Sequence, residues 1–145
     1  MTHYTMKTIL VTLLALSAAT VASANVGASS THRLYGKWTW TYAKNDCTEV
    51  YDYRMDNTAV ITSGEEVAES RFTIAEKPDP VGFYRVTDVV TKSNGRMGCD
   101  GEPGGTPVGH EATIYILFHP RRDEMLICQR PSLDACMGPL RRVSR

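Results

Sequence analysis

The chain has 145 residues, and its 16 basic and 16 acidic residues give a formal net charge of zero at neutral pH. This length suits one domain with one core. The balanced charge argues against a nucleic-acid-binding surface and against a basic membrane-binding face.

Residues 1–24 have the pattern of a cleaved secretory signal peptide. Lys7 supplies a positive charge, residues 9–16 form a short apolar run, and the sequence ASA at 22–24 is a small-residue cleavage site. The alternative is a membrane anchor, but the run is short for a span and rich in Ser, Thr and Ala. We therefore expect export to the periplasm or secretion, without a stable membrane anchor.

The expected mature chain, residues 25–145, has a net charge of −1, because cleavage removes only Lys7 from the charged residues. A start at Met6 would give a more compact leader. Residues 25–33 are small and polar and predict a flexible arm. Residues 34–145 predict a single β-barrel domain without internal repeats.

Beyond the arm, the chain consists of short alternating segments separated by turns, which is typical of antiparallel β-structure. The strand candidates are YGKWTWTY (35–42), TEVYDYRM (48–55), TAVIT (58–62), ESRFTIAE (69–76), FYRVTDVVTK (83–92), ATIYILF (112–118), MLICQR (125–130) and PLRRVS (139–144). No mature segment has a convincing amphipathic helical pattern. Seven or eight strands with mostly short connections predict an up-and-down barrel or a β-sandwich, and closure into a barrel would cover exposed strand edges.

One connection is much longer than the others. Residues 93–111 contain six glycines and two prolines, so they form no regular element. Loops of this length in compact domains often carry function.

All four cysteines lie in the expected mature region: Cys47, Cys99, Cys128 and Cys136. An even count in an exported chain predicts two disulfides. A metal site is the alternative, but there is no C-x-x-C pair and no histidine beside a cysteine.

Gly36-Lys37-Trp38 at the start of the first strand and Arg141-Arg142 at the end of the last resemble the calycin pattern of lipocalins and their relatives. The resemblance implies an eight-stranded barrel in which Trp38 plugs the closed end and Arg141 or Arg142 packs over it. The chain is shorter than typical lipocalins and lacks their T-D-Y segment and C-terminal helix, so a small calycin-like barrel is implied.

In that topology all four cysteines fall near the open end, or mouth, of the barrel. Disulfide partners need Cα atoms within about 7 Å, which this clustering would satisfy. We favour Cys47–Cys99 with Cys128–Cys136, and Cys47–Cys128 with Cys99–Cys136 is the close alternative. Either pairing would tie the glycine-rich loop across the mouth.

No set of residues predicts catalysis. Of the mature histidines His32, His110 and His119, only His110 is expected near the mouth, and no G-x-S-x-G or H-E-x-x-H motif occurs. The acidic residues of GEEVAES at 64–70 are interpreted as a solvated turn, and the loop carboxylates lack calcium-ligand spacing. We expect a protein that is not an enzyme, with no metal and no cofactor.

Aromatic side chains recur at alternate positions and can all face the barrel interior. A small barrel can fill its interior with its own side chains, but buried tyrosines need partners for their hydroxyls. Both a filled core and a ligand cavity are therefore open at this point. The candidate ligand-binding residues are Trp40, Tyr42, Tyr51, Tyr53 and Tyr84.

Three functions follow as expectations. The first is a non-enzymatic binding protein that holds a small apolar or amphipathic ligand in a lipocalin-like barrel. The second is a protein-binding inhibitor or immunity-type envelope protein that uses the 93–110 loop. The third is a structural or stress-related envelope protein with a filled core.

Overall fold

A computed structural model of the chain describes residues 31–144. The predicted signal peptide and most of the predicted arm lie outside the described residues. The part described is all-β apart from one 3-10 turn, η1 (Leu133–Ala135). It contains no helix long and apolar enough to cross a membrane.

Eight strands form the barrel: β1 (Gly36–Thr41), β2 (Thr48–Tyr53), β3 (Thr58–Ser63), β4 (Glu66–Ile74), β5 (Tyr84–Ser93), β6 (Glu111–Phe118), β7 (Glu124–Cys128) and β8 (Cys136–Ser144). Each strand pairs antiparallel with the next, and β1 pairs with β8 to close the sheet. The predicted up-and-down antiparallel barrel is confirmed, and the β-sandwich alternative is wrong.

Polar residues with short side chains stabilise the turns at the closed end. Between β2 and β3, Asn57 adopts a positive φ of 62°, and the Asp56 carboxylate accepts the backbone N–H of Thr58 at 3.0 Å. Between β4 and β5, the Asp79 carboxylate accepts three successive backbone N–H groups. These side chains replace the backbone partners that a tight turn lacks.

The closed half of the barrel is a packed core built around Trp38, which is fully buried. Its indole N–H donates to the Leu34 carbonyl at 2.8 Å. The Arg142 guanidinium lies 4.0 Å from the centroid of the indole ring. Further buried side chains around it are Tyr53, Phe72, Val86, Ile116, Met125 and Leu140.

The last residues of the predicted arm contact this closed end. The His32 ring meets the Tyr84 ring edge-on at 4.8 Å, and the Arg33 guanidinium lies 4.8 Å from the centroid of the Phe118 ring. Arg33 also donates to the His119 carbonyl at 3.0 Å. Residues 32 and 33 thus pack against the barrel just before β1.

Two disulfides lie at the mouth, and the favoured pairing is confirmed. Cys47–Cys99 joins the β1–β2 loop to the long loop between β5 and β6, with Cα atoms 5.5 Å apart. Cys128–Cys136 joins the end of β7 to the start of β8. Disulfides of this kind are typical of proteins from oxidising compartments.

Candidate functional site

The mouth half of the barrel is open. It contains a cavity of about 570 Å³, lined by inward-facing side chains of β2 to β7, by the first residues of β8 and by the loops at the mouth. The apolar side chains of the lining include Ile61, Val90, Ile114, Ile127 and Met137. The interior is therefore packed in its closed half and hollow in its mouth half, which does not match a core filled throughout.

The same lining also carries acidic side chains from several strands and loops. The cavity is lined by five carboxylates: Glu49, Glu66, Asp88, Asp100 and Asp134. No Lys or Arg is among the lining residues, and His110 is the one basic side chain there. The cavity therefore has a negative electrostatic character, although the chain as a whole has no net charge.

Glu49 is buried, and three hydroxyl groups donate hydrogen bonds to its carboxylate. Tyr51 donates to Oε2 at 2.5 Å, while Ser63 and Tyr42 donate to Oε1 at 2.7 and 3.3 Å. The Ser63 oxygen in turn accepts the backbone N–H of Cys99 at 2.9 Å. This network connects the barrel wall to the disulfide-bonded loop and compensates for the burial of the Glu49 charge.

The tyrosines of this region resist ionisation. Burial, the Glu49 charge and the hydrogen bond to Glu49 raise the pKa of Tyr51 well above its usual value and that of Tyr42 to about 12. Burial, followed by the charge of Asp88, raises the pKa of Tyr53. All three therefore remain hydroxyl groups that can donate hydrogen bonds at neutral pH.

Glu66 fastens the glycine-rich loop from inside the cavity. Its Oε1 accepts the backbone N–H of Thr106 at 2.5 Å. A Cβ atom at Gly98 would lie 2.8 Å from Glu66 Oε2, and one at Gly105 would lie 2.6 Å from the Arg96 carbonyl oxygen. The glycines are needed here because the loop backbone passes so close to this carboxylate and to itself.

Asp88 lies on β5 in register with Phe72 of β4, deeper in the barrel than Glu66 at the start of β4. Its Oδ1 and the Ser70 Oγ are buried, and neither forms a well-aligned hydrogen bond with a described residue. Burial raises the pKa of Asp88, while the nearby Ser70 hydroxyl and the charge of His110 oppose that change.

The two carboxylates at the rim are exposed and differ in their partners. Arg130 forms an ion pair with Asp134 at 2.6 Å, and together with the Ser132 hydroxyl it lowers the pKa of Asp134. Asp100 accepts the backbone N–H of Glu102 at 3.0 Å. Unlike Asp134, Glu66 and Asp88 form no ion pair with a Lys or Arg among the described residues.

The predicted ligand-binding residues do not form one group. Tyr51 and Tyr53 line the cavity. Tyr42 lies behind Glu49, and its ring centroid is 4.1 Å from that of Trp40, which does not line the cavity either. Tyr84 lies at the closed end, where its ring contacts His32 and Phe118.

The structural residues fall at the closed end. Gly36 begins β1, and Trp38 is paired across β1 and β8 with Arg142. Arg142 covers the indole, whereas the side chain of Arg141 is 74% exposed and lies 3.5 Å from Glu124. Alternation along β8 explains the difference, because neighbouring residues of a strand face opposite sides.

Glu49, Glu66 and Asp88 are missing from the sequence prediction. The interpretation of Glu66 as part of a solvated turn is wrong, since it is the first residue of β4 and only 9% exposed. Alternation did carry a signal: Glu49 lies two residues before Tyr51, and Glu66 lies two, four and six residues before Ala68, Ser70 and Phe72. These carboxylates occupy positions of the inward-facing series.

A second depression, of about 720 Å³, lies at the closed end beside Gly36 and Arg54. The Arg142 side chain on its wall is engaged in the packing over Trp38 and donates to the Tyr35 carbonyl at 2.6 Å. This depression therefore belongs to the closure of the barrel.

No protein-family model, curated protein or solved structure matches the chain.

Proposed function

We propose that this protein is an exported, non-enzymatic binding protein that holds a small amphipathic molecule in the mouth cavity of its barrel. The observation that carries the proposal is a cavity of about 570 Å³ whose lining combines apolar and acidic side chains. Binding sites for small molecules commonly enclose roughly 300–1,000 Å³ and combine an apolar lining with a few polar groups. A calycin-like barrel, as the G-x-W resemblance implies, agrees with this use of the interior.

The polar groups of the cavity favour binding over catalysis. Ser63 and Tyr51 donate their hydroxyl protons to Glu49, and the Ser63 oxygen also accepts the Cys99 N–H. The lining cysteines Cys128 and Cys136 form a disulfide and supply no thiol. Export to the periplasm or medium is supported by the leader-like residues 1–24 and by the two disulfides.

Three probes with one apolar body test the proposal: 4-phenylbutanol, 4-phenylbutylamine and 4-phenylbutyrate, titrated calorimetrically into the purified chain. We expect at least one of them to bind. Ala112→Phe adds a ring on the inward face of β6, within the cavity lining, and should abolish binding. Thr113→Phe, on the exposed outer face of the same strand, should leave it unchanged.

Binding that survives Ala112→Phe in a folded protein, or no binding of any probe, would contradict the proposal. If Ala112→Phe fails to fold, Ala135→Phe in η1 tests the same cavity from its loop side.

A second candidate function, protein binding by the long loop, is favoured by its exposed apolar side chains. Met97 and Val108 are 51% and 63% exposed on a loop anchored by Cys47–Cys99 and by Glu66. A Met97→Ser/Val108→Ser variant should lose any partner that co-purifies with the intact chain from the envelope fraction. Retention of every such partner would reject this role for the loop.

A further inference from the structure

A polar level of the barrel interior, formed by Tyr53, Ser70 and Asp88, borders the mouth cavity. In the register of the sheet, Tyr53 lies opposite Ala59, and Ala59 lies opposite Ser70. Asp88 is two residues from Val90, the partner of Ser70, so it is a diagonal neighbour of Ser70 on the inward face. Only the small Ala59 side chain lies between β2 and β4 at this level.

The Tyr53 ring lies inside the barrel and leans towards the other two groups. It stacks near Tyr51, with centroids 6.3 Å apart, and meets the Phe72 ring edge-on at 5.2 Å. Phe72 is the register partner of Asp88, so the ring reaches across β3 towards β4 and β5. Tyr53 lines the cavity but is only 4% exposed, and its hydroxyl forms no hydrogen bond within the described part of the chain.

The neighbouring polar atoms also lack partners. Ser70 is 1% exposed, and both its Oγ and Asp88 Oδ1 are buried without a well-aligned hydrogen bond to a described residue. Native proteins satisfy nearly all buried groups of this kind. In the free protein, water can hydrate the groups that reach the cavity. A ligand that fills this space has to supply the hydrogen bonds which that water makes.

The chemistry of these groups selects the polar end of the ligand. The Tyr53 hydroxyl stays protonated because its pKa is raised, so its O–H needs an acceptor, while the Asp88 carboxylate needs a donor. An ammonium has no lone pair for the Tyr53 proton. A carboxylate has no proton for Asp88 and would place a second negative charge beside it. A hydroxyl group both accepts and donates.

The lining on the mouth side of the polar level is apolar. Ile61 and Ala68 are register partners one step further along the inward-facing series, and Val90 is two residues from Asp88 in the same direction. Glu66 is four residues from Ser70, roughly 13 Å along the strand, so it lies outside this level. A ligand whose polar end reaches the polar level therefore lays its apolar body along these three side chains.

We propose that the ligand of the mouth cavity is a neutral amphipathic alcohol that enters hydroxyl first, accepts a hydrogen bond from Tyr53 and donates one to Asp88. This inference rests on the proposed function and names its ligand class. The apolar body of the ligand lies against Ile61, Ala68 and Val90.

The three 4-phenylbutyl probes test the inference, because they share one apolar body and differ in the polar end. At neutral pH we expect 4-phenylbutanol to bind about fivefold or more tighter than the amine, with the carboxylate weakest. Tyr53→Phe removes only the hydroxyl, so it should lower the affinity for the alcohol about tenfold and that for the amine less than about twofold. If Tyr53→Phe does not fold, Asp88→Asn removes the charge from the acceptor and should lower the affinity for the alcohol about fivefold.

The matched control is Tyr115→Phe, which removes a hydroxyl from the outward-facing series of β6 and should leave the affinity for the alcohol unchanged. The inference would be overturned, with the proposed function intact, by an amine or carboxylate that binds as tightly as the alcohol. An alcohol affinity that the folded cavity variant does not lower, or that Tyr115→Phe lowers equally, would overturn it in the same way. Failure of all three probes to bind would overturn both.

Discussion

The guanidinium of Arg142 lies 4.0 Å from the centroid of the Trp38 ring and closes one end of the barrel. The same guanidinium donates hydrogen bonds to the carbonyls of Arg33 and Tyr35, which lie immediately before β1. Its side chain is only 7% exposed. One side chain from the last strand thus holds the segment that enters the first strand, in addition to the β1–β8 backbone pairing that closes the barrel.

Arg142→Ala should lower the free energy of unfolding by about 3 kcal/mol, because it removes a desolvated cation–π contact and leaves two carbonyls without their donors. Arg142→Lys should recover only part of this, since an ammonium cannot reproduce the planar fork. Denaturant titration measures both. The Arg141 side chain is 74% exposed. Arg141→Ala is therefore the control and should lower the free energy of unfolding by less than about 0.5 kcal/mol. Equal losses in the two alanine variants would show that the cap over Trp38 contributes little.

Stability should fall as the pH rises above 10. The pKa values of Tyr51 and Tyr53 are raised in the folded state above the ordinary 10.0, so the unfolded chain loses these protons first. Their contribution is complete below pH 10 and is lost as the pH rises towards the folded pKa values, at up to about 1.4 kcal/mol per pH unit for each tyrosine. Denaturant titrations from pH 8 to pH 11.5 measure the slope. Tyr51→Phe should make that slope shallower only above pH 10, and an unchanged slope would contradict the assignment.

The change in the free energy of unfolding caused by Asp88→Asn should be more favourable at pH 7 than at pH 3. Burial raises the pKa of Asp88 in the folded state above 3.8, so the folded protein holds this proton more tightly than the unfolded chain. The resulting stabilisation is fully present below pH 3.8 and is lost as the pH rises through the folded pKa. Asparagine does not ionise and loses nothing over this range. The free energies of unfolding of variant and wild type, compared at pH 3 and pH 7, test this. A difference that is the same at both pH values would mean that Asp88 ionises without cost in the cavity.

The sequence was sufficient to predict the barrel because alternation, turn residues and an even number of cysteines all depend on local chemistry. It was also sufficient to place Trp38 and the disulfides at opposite ends, since strand order fixes which loops share an end. It was not sufficient to find Glu49, Glu66 and Asp88, because an isolated acidic residue in a strand is normally assigned to the solvent side. Their burial depends on partners distant in sequence, such as Thr106 for Glu66, 40 positions away.

The two disulfides should differ in what they contribute to stability. Cys47–Cys99 closes 52 positions of chain, and Cys128–Cys136 closes eight. The chain-entropy model gives about 4 kcal/mol for the first and about 2.5 kcal/mol for the second. Denaturant titration of Cys47→Ser/Cys99→Ser and Cys128→Ser/Cys136→Ser measures both losses. Amide exchange of Thr106 should accelerate more in the first variant, because that disulfide anchors the long loop. The opposite order would place the anchoring of the loop in the second disulfide.

Gly105→Ala should detach the long loop from Glu66, whereas Gly101→Ala should not. Both glycines have positive φ values, +59° and +83°, so both substitutions incur a similar backbone strain of about 1–2 kcal/mol. Only at Gly105 would the new Cβ meet other atoms, at 2.6 Å from the Arg96 carbonyl oxygen and 3.0 Å from Glu66 Oε1, whereas at Gly101 nothing lies within 4 Å. We therefore expect Gly105→Ala to cost about 1–3 kcal/mol more than Gly101→Ala and to accelerate exchange of the Thr106 amide. Equal costs, with the Thr106 amide still protected, would mean that the loop can shift without losing its bond to Glu66.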